Sequence, residues 1–173
     1  METLLDFLTN EKLGHHLGVF LDVDGVLNTE EDWKRPFTLN FRCVHAFQAA
    51  LAEAGERFDK VTVVLTSTWR KGWNPIFQPP YLRTLCDALP VEGITPEAPG
   101  VMPRGKRGKE IRYYFRRHPM DTCIVVDDDR SLFTTIDRMR LSIFFTDAAT
   151  GFTEEDTKGF LDAVQRAVKK SKK

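Results

Sequence analysis

Acidic and hydroxyl side chains stand at the ends of three apolar runs in the sequence. Asp22 and Asp24 follow the first run, Thr66 follows the second, and Asp127 and Asp128 follow the third. In a pair such as Asp22 and Asp24, one carboxylate can act as a nucleophile and the other as an acid and base, provided that their surroundings separate their pKa values. Clustered carboxylates repel one another, and a hard cation such as Mg²⁺, which prefers oxygen ligands, would relieve that repulsion.

The apolar runs also predict the elements that position these residues. The runs span residues 18–23, 61–65, 123–126 and 141–145, with a short strand-like segment at 92–95. Continuous apolar residues are typical of strands buried on both faces. Segments with helical spacing occupy 41–54, 81–89, 109–117 and, as a capped C-terminal helix, about 153–169. This alternation favours an α/β fold with a mostly parallel central sheet and helices on both faces.

The predicted sheet brings the polar groups together, because the carboxyl ends of parallel strands form the ligand crevice of such folds. A hydroxyl such as that of Thr66, with a Lys or Arg nearby, would hold the oxygens of a phosphate. A carboxylate nucleophile, a metal ion, a hydroxyl and a cation together match phosphoryl transfer through an aspartyl-phosphate.

Four motifs in this order resemble those of the haloacid dehalogenase (HAD) superfamily. The first ends in Asp22-Val23-Asp24-Gly25, the second ends at Thr66, the third is the basic segment 106–111, and the fourth ends in Asp127-Asp128. Together they span residues 19–128. The segments DVDGVLN, TSTWR, RGKEI, VVDDD and TDAATGFT are similar to those of a capless HAD subgroup found in RNA-repair and phage proteins. The resemblance implies a Rossmann-like HAD core.

The resemblance also implies a role for each acid and for the hydroxyl. Asp22 would attack phosphorus, and Asp24 would protonate the leaving oxygen and then activate water. The presence of Asp24 implies a phosphatase, since the dehalogenases of the superfamily lack an acid there. The Asp22 carboxylate, the main-chain carbonyl of Asp24, and Asp127 or Asp128 would bind Mg²⁺. Thr66 would hydrogen-bond a phosphoryl oxygen.

Three cations compete for the role of the third motif, which is to neutralise the phosphoryl group and its aspartate. They are Lys106, Arg107 and Lys109. The superfamily usually has Lys there, but the subgroup often has Arg followed by Gly, which favours Arg107.

Four further residues are candidates for binding the substrate: Gly25, Ser67, Trp69 and Arg70. Gly25 closes the first motif. Ser67 would supply the hydroxyl in place of Thr66 if the end of the second motif lay one residue later. Trp69 can either stack on a base or fill the hinge between strand and helix. Arg70 could reach a second phosphate.

Two basic segments have more than one interpretation. Cations crowd the segment from Arg104 to Arg117, opposed only by Glu110. That segment is either a track for a polyanionic substrate or a solvated helix face. The basic tail 169–173 is expected to be a frayed, solubilising end.

The lengths of the intervals between the motifs indicate how open the site is to its substrate. Neither 29–60 nor 71–105 has room for a separate folded cap, and by resemblance a capless member has an open site. We therefore expect a Mg²⁺-dependent phosphomonoesterase acting on the phosphorylated end of a nucleic acid or on a nucleotide. One alternative keeps the chemistry and has a small phosphometabolite or a phosphoprotein as substrate. Another is a catalytically idle HAD-like binding module.

Composition bounds these expectations. A length of 173 residues predicts one domain over 1–173. The 25 Lys and Arg balance the 25 Asp and Glu, which excludes a generally basic polyanion binder. No apolar stretch is long enough for a membrane span, and acidic Glu2 and Asp6 are unlike a signal peptide. Three cysteines without metal or redox spacing weakly favour a reducing cytoplasm. The oligomeric state stays open.

Overall fold

The chain folds into a parallel sheet covered by helices. The computed structural model describes residues 12–97 and 105–172. Its strands are β1 (Gly14–Leu21), β2 (Phe58–Leu65), β3 (Val91–Ile94), β4 (Thr122–Asp127) and β5 (Ser142–Phe145). Its α-helices are α1 (Phe41–Gly55), α2 (Pro80–Ala88), α3 (Lys106–Arg117), α4 (Thr135–Arg140) and α5 (Asp156–Ser171). Short 3₁₀ helices occupy Asp32–Lys34, Thr68–Gly72 and Arg130–Leu132.

The strand order places the three motif-bearing strands side by side. The order is β3-β2-β1-β4-β5, and every neighbouring pair is parallel. Because β1 lies between β2 and β4, the carboxyl ends of all three strands meet at one edge of the sheet. The predicted α/β, Rossmann-like architecture is confirmed.

The central strands are longer than the apolar runs that predicted them. Gly14 of β1 pairs with Phe58 of β2, and His16 pairs with Lys60. Apart from the buried Phe58, the first residues of β1 and β2 are partly or fully solvated, so they need no apolar side chains to pair. A search for continuous apolar residues therefore finds only the buried second half of each strand.

Apolar side chains cover both faces of the sheet. The larger cluster packs residues of α1, α2 and α5 against one face, where Phe47 meets Phe152 and Phe160 edge to face. The smaller cluster on the other face joins Ile111 of α3 to Phe20 and Val125. Helices on both faces thus hold the sheet that positions the polar edge.

The segments between the first three motifs belong to this core. The segment after β1 holds a 3₁₀ turn and α1, and the segment after β2 holds a 3₁₀ turn, α2 and β3, which joins the main sheet. Within the described residues, neither segment forms a separate cap. Part of the second segment, including Arg104, lies outside the described residues.

Several helix boundaries differ from the predicted ones. Helix α3 begins at Lys106, three residues earlier than expected, after Gly105 in a left-handed conformation. Helix α5 continues to Ser171, and Lys170 donates to the carbonyl of Leu141 at 3.0 Å. Residues 169–171 are therefore helical rather than frayed, and residue 173 lies outside the described residues.

One helix escaped the sequence analysis. Helix α4 is short and begins with a capping box in which Thr134 and Asp137 bond each other reciprocally. No helix in the described ranges is both long and apolar enough to cross a bilayer.

Candidate active site

Hydrogen bonds between the strand ends hold the first residues beyond the sheet in place. The N–H of Asp22 donates to the carbonyl of Val126 at 2.9 Å, and the N–H of Thr66 donates to the carbonyl of Leu21 at 2.9 Å. Asp22 therefore lies between the end of β2 and the end of β4. The predicted juxtaposition of Asp22, Thr66 and Asp127 exists in the structure.

Arg107 links these three residues. Its Nη1 donates to Thr66 Oγ1 at 2.9 Å, to Asp127 Oδ2 at 3.0 Å and to Asp22 Oδ1 at 3.2 Å. Burial alone would lower the pKa of the guanidinium, but Asp22 and Asp127 outweigh burial and raise the pKa above its usual value. Arg107 is therefore a fixed positive charge at the strand ends.

The two lysines that competed with Arg107 do not share its contacts. Lys109 follows Arg107 by two residues on α3 and is exposed, whereas Lys106 is half-buried. No ion pair or hydrogen bond of either side chain to the acidic cluster is found within the described residues. The structure thus brings only Arg107 of the three cations into the cluster.

Three carboxylates crowd one side of Arg107. Asp22, Asp127 and Asp128 each offer an oxygen within 4.8 Å of the others. Burial, followed by repulsion from Asp22, raises the pKa of Asp127 well above its usual value and that of Asp128 to about 7. An all-oxygen set of buried, mutually repelling acids fits a hard divalent cation such as Mg²⁺.

Asp129, the third acid of its run, has a different place. Its carboxylate accepts from the N–H of Ser131 at 2.8 Å and so caps the 3₁₀ helix that follows. The side chain is exposed, and it is not part of the carboxylate cluster.

The second acid of the first motif is held by two donors. Trp69 Nε1 lies 3.2 Å from both carboxylate oxygens of Asp24, and Asn28 Nδ2 donates to Asp24 Oδ1 at 2.8 Å. Asn28 Oδ1 in turn accepts from the N–H of Gly25 at 2.9 Å and from Trp33 Nε1 at 3.0 Å. Asp24 is therefore fixed in orientation while it stays partly open to solvent.

Gly25 lies in the turn that directly follows Asp22 and Asp24. Its φ of 79° lies in the left-handed region, and a Cβ there would collide with the carboxylate of Asp128. Its carbonyl accepts from the hydroxyl of Thr146 at 2.7 Å. A glycine here lets the first and fourth motifs approach each other.

The remaining candidates for substrate contact lie below the surface. Ser67 is buried, and its hydroxyl accepts from the N–H of Trp69 at 3.3 Å, which caps the 3₁₀ turn. Trp69 is only 2% exposed, so it fills the hinge and leaves no face open for a base. Arg70 is 5% exposed, and the structure does not bring it to the surface of the rim.

Arg70 instead anchors α3. Its Nη2 pairs with Glu110 Oε2 at 3.0 Å, and its Nη1 donates to Thr95 Oγ1 at 3.1 Å and to the carbonyl of Thr66. Glu110 follows Arg107 by one turn of the same helix. The buried pair therefore ties the strand end that carries Thr66 to the helix that carries Arg107.

Three residues that shape the site were not predicted as functional residues. Each lies in a motif segment: Asn28 in DVDGVLN, Glu110 in RGKEI and Thr146 in TDAATGFT. Glu110 carried a usable signal, since a single acid within a basic run is typical of a buried partner. The contacts of Asn28 and Thr146 depend on the turn geometry, which the sequence does not display.

Two exposed aromatic rings are linked to Asp24 through its hydrogen-bond donors. Trp33 is 45% exposed and Phe37 is 49% exposed. Phe37 stacks on Tyr81 with ring centroids 4.0 Å apart and meets Trp69 edge to face at 5.3 Å. Trp33 bonds Asn28 and Phe37 contacts Trp69, and these two buried residues hold Asp24, so each exposed ring is linked to Asp24 through one residue.

We predict that breaking the Arg70–Glu110 pair destabilises the fold. Glu110→Gln leaves a buried guanidinium without its charge partner, and we expect a loss of about 3–5 kcal/mol in the free energy of unfolding, measured by urea denaturation. Lys71→Met is the control, because it removes only an exposed partner of Glu97 at 4.0 Å, and it should cost less than about 0.5 kcal/mol. Equal costs for the two variants would contradict this assignment.

Comparison with known proteins identifies the family. The family model described as the HAD domain in Swiss Army Knife RNA repair proteins matches residues 18–157, which is most of the chain and includes all four motifs. A search of curated proteins and a search of solved structures found no match. The chain therefore belongs to the family of HAD domains found in Swiss Army Knife RNA repair proteins.

Proposed function

We propose that the chain is a Mg²⁺-dependent phosphomonoesterase that works through a phosphoryl group on Asp22. One observation carries this proposal. A single guanidinium, that of Arg107, contacts the residues of three separate motifs, Asp22, Thr66 and Asp127. Such a site offers a carboxylate nucleophile together with a charge and a hydroxyl that can receive phosphoryl oxygens.

The first half of the reaction would use both acids of the first motif. A carboxylate oxygen of Asp22 forms a bond to phosphorus, and the bond from phosphorus to the ester oxygen breaks. Asp24 gives its proton to that leaving oxygen, and Trp69 and Asn28 hold its carboxyl group for this transfer.

The second half would reverse the role of Asp24. Its carboxylate takes a proton from a water molecule, whose oxygen attacks phosphorus and releases inorganic phosphate with Asp22 restored. Through both halves, Arg107 would neutralise the phosphoryl oxygens, and the Thr66 hydroxyl, which accepts from Arg107, keeps its own proton free to donate to one of them.

The metal would be held by Asp22, Asp127 and Asp128, with the main-chain carbonyl of Asp24 as a further ligand by resemblance. When bound, Mg²⁺ would supply positive charge that lowers the repulsion between the Asp22 carboxylate and the phosphate. The raised pKa values of Asp127 and Asp128 support this proposal, because burial and then the charge of Asp22 make both ionised carboxylates unfavourable, and a bound cation would stabilise them.

The substrate we propose is the phosphorylated end of a nucleic acid or a nucleotide. The family description, which names RNA repair proteins, supports this substrate class. The exposed rings of Trp33 and Phe37 beside Asp24 support it as well, since a base next to the leaving oxygen could stack on them.

Hydrolysis of an aryl phosphate tests the chemistry. We predict turnover with Mg²⁺, none with chelator, and a loss of at least about 10³-fold in kcat for Asp22→Asn, which keeps the shape of the side chain and removes the nucleophile. Phosphate release is measured, and 3′- and 5′-phosphorylated oligonucleotides are then compared with nucleotides and with small phosphate esters. An intact protein that is inert on all of them would favour the idle binding module, and a preference for small esters would overturn the substrate class.

The choice between the three basic residues gives a second prediction. Arg107→Gln removes the charge between Asp22 and Asp127, and we expect kcat to fall by about 10²-fold or more. Lys109→Gln removes an exposed charge two residues further along α3 and should change kcat less than about twofold. Phosphate release under saturating substrate measures both variants, and a larger effect for Lys109→Gln would assign the third motif to the lysine instead.

A further inference from the structure

Four exposed cations line one surface groove along β5. Arg130, Arg138, Arg166 and Lys170 share this groove with residues 141–145. Strand β5 ends the sheet order, so its outer edge has no strand partner among the described residues. Every charged residue that lines the groove is a cation. We call this surface the β5 groove.

The cations are spread along the length of the strand. At the carboxyl end, the Arg130 guanidinium lies over the Phe145 ring at 4.3 Å, and Arg138 Nη2 donates to the carbonyl of Arg130 at 2.9 Å. At the amino end, Lys170 bonds the carbonyl of Leu141 at 3.0 Å, with Arg166 one helical turn before it. The β5 groove thus offers charges over about 10–13 Å of strand.

These charges are not balanced by acids nearby. Within residues 12–97 and 105–172, none of the four cations takes part in an ion pair. The neighbouring acids are engaged elsewhere, Asp129 with Ser131 and Asp162 with Lys158. Burial lowers the pKa of Lys170, and the nearby charge of Arg166 lowers it further. A bound polyanion would offset the repulsion between Lys170 and Arg166.

The groove begins at the candidate active site. Asp127 of the site pairs with Phe145 in the strand register, and Arg130 follows Asp127 by three residues. A terminal phosphate held at Arg107 would therefore place the next phosphates of a linear chain at the carboxyl end of β5.

We infer that the β5 groove binds the sugar-phosphate backbone of a single nucleic-acid strand whose phosphorylated end lies at Asp22. This inference rests on the proposed function. A nucleic-acid strand fits better than an acidic protein because its charges are regularly spaced and continue from the very phosphate that the site receives. Cations beside an edge strand can also serve only to prevent that strand from pairing with other chains, and the experiment below separates that role from binding.

The test compares two double variants that each remove two positive charges. Arg166→Gln with Lys170→Gln changes the end of the β5 groove farthest from Asp22. Lys60→Gln with Arg83→Gln is the matched control on β2 and α2, at the other side of the sheet. For each protein, kcat/KM is measured on a phosphorylated mononucleotide and on a phosphorylated oligonucleotide of about ten nucleotides that ends in the same nucleotide, over a range of salt concentrations.

We expect the groove variant to lose about tenfold in kcat/KM on the oligonucleotide and less than twofold on the mononucleotide, which is too short to reach Arg166. The slope of log kcat/KM against log salt should become shallower by about 0.7 for each cation removed. The control variant should keep the wild-type values. Equal losses in the groove and control variants, or no advantage of the oligonucleotide in the wild type, would overturn the inference.

Binding separates this inference from the proposed chemistry. Fluorescence anisotropy of an unphosphorylated oligonucleotide should show weaker binding to the groove variant than to the control, even if no substrate is hydrolysed. Equal affinity for polyglutamate and for the oligonucleotide would overturn the assignment to nucleic acid. A groove variant that aggregates while it keeps its oligonucleotide affinity would assign the cations to edge protection.

Discussion

The site depends on the crowding of carboxylates at the carboxyl edge of the sheet. The parallel order of β2, β1 and β4 brings Asp22 next to Asp127, with Asp128 close by. Burial, and after it repulsion from Asp22, raises the pKa of Asp127 and of Asp128, so the ionised cluster is unfavourable. Arg107 offsets part of that repulsion, and the remaining negative charge makes the edge suited to a divalent cation.

The rest of the molecule fixes Arg107 in its place. Helix α3 is held at one side by the buried pair of Arg70 and Glu110, and at the other side by the pair of Arg112 and Asp137. Arg70, which the sequence offered as a substrate contact, therefore positions Arg107 and Thr66 instead. Trp69 acts in the same way on Asp24. The groups proposed to carry out the chemistry lie at the strand ends, and the residues directly behind them hold their geometry.

Much of the fold and of the acidic cluster follows from the sequence, for a physical reason. Buried parallel strands need continuous apolar runs, and the residue after each run must lie at the shared edge. The same reasoning could not place Arg70, because an arginine that reaches a substrate and one that pairs with a buried acid have the same local sequence. It also left the third motif open, since only the start of α3 at Lys106 decides that Arg107 points to Asp22.

The proposed function requires that Asp22 carries the phosphoryl group between the two halves of the reaction, and this intermediate can be trapped. Asp24→Asn protein is incubated with Mg²⁺ and an aryl phosphate, whose leaving group needs no proton from residue 24, and is then quenched in acid, digested and analysed by mass spectrometry. We expect one phosphoryl group on the peptide that contains residue 22, because the variant lacks the base that activates water for the second step. Wild-type turnover with no phosphoryl group on Asp22 in the variant, or with the group on another residue, would contradict it.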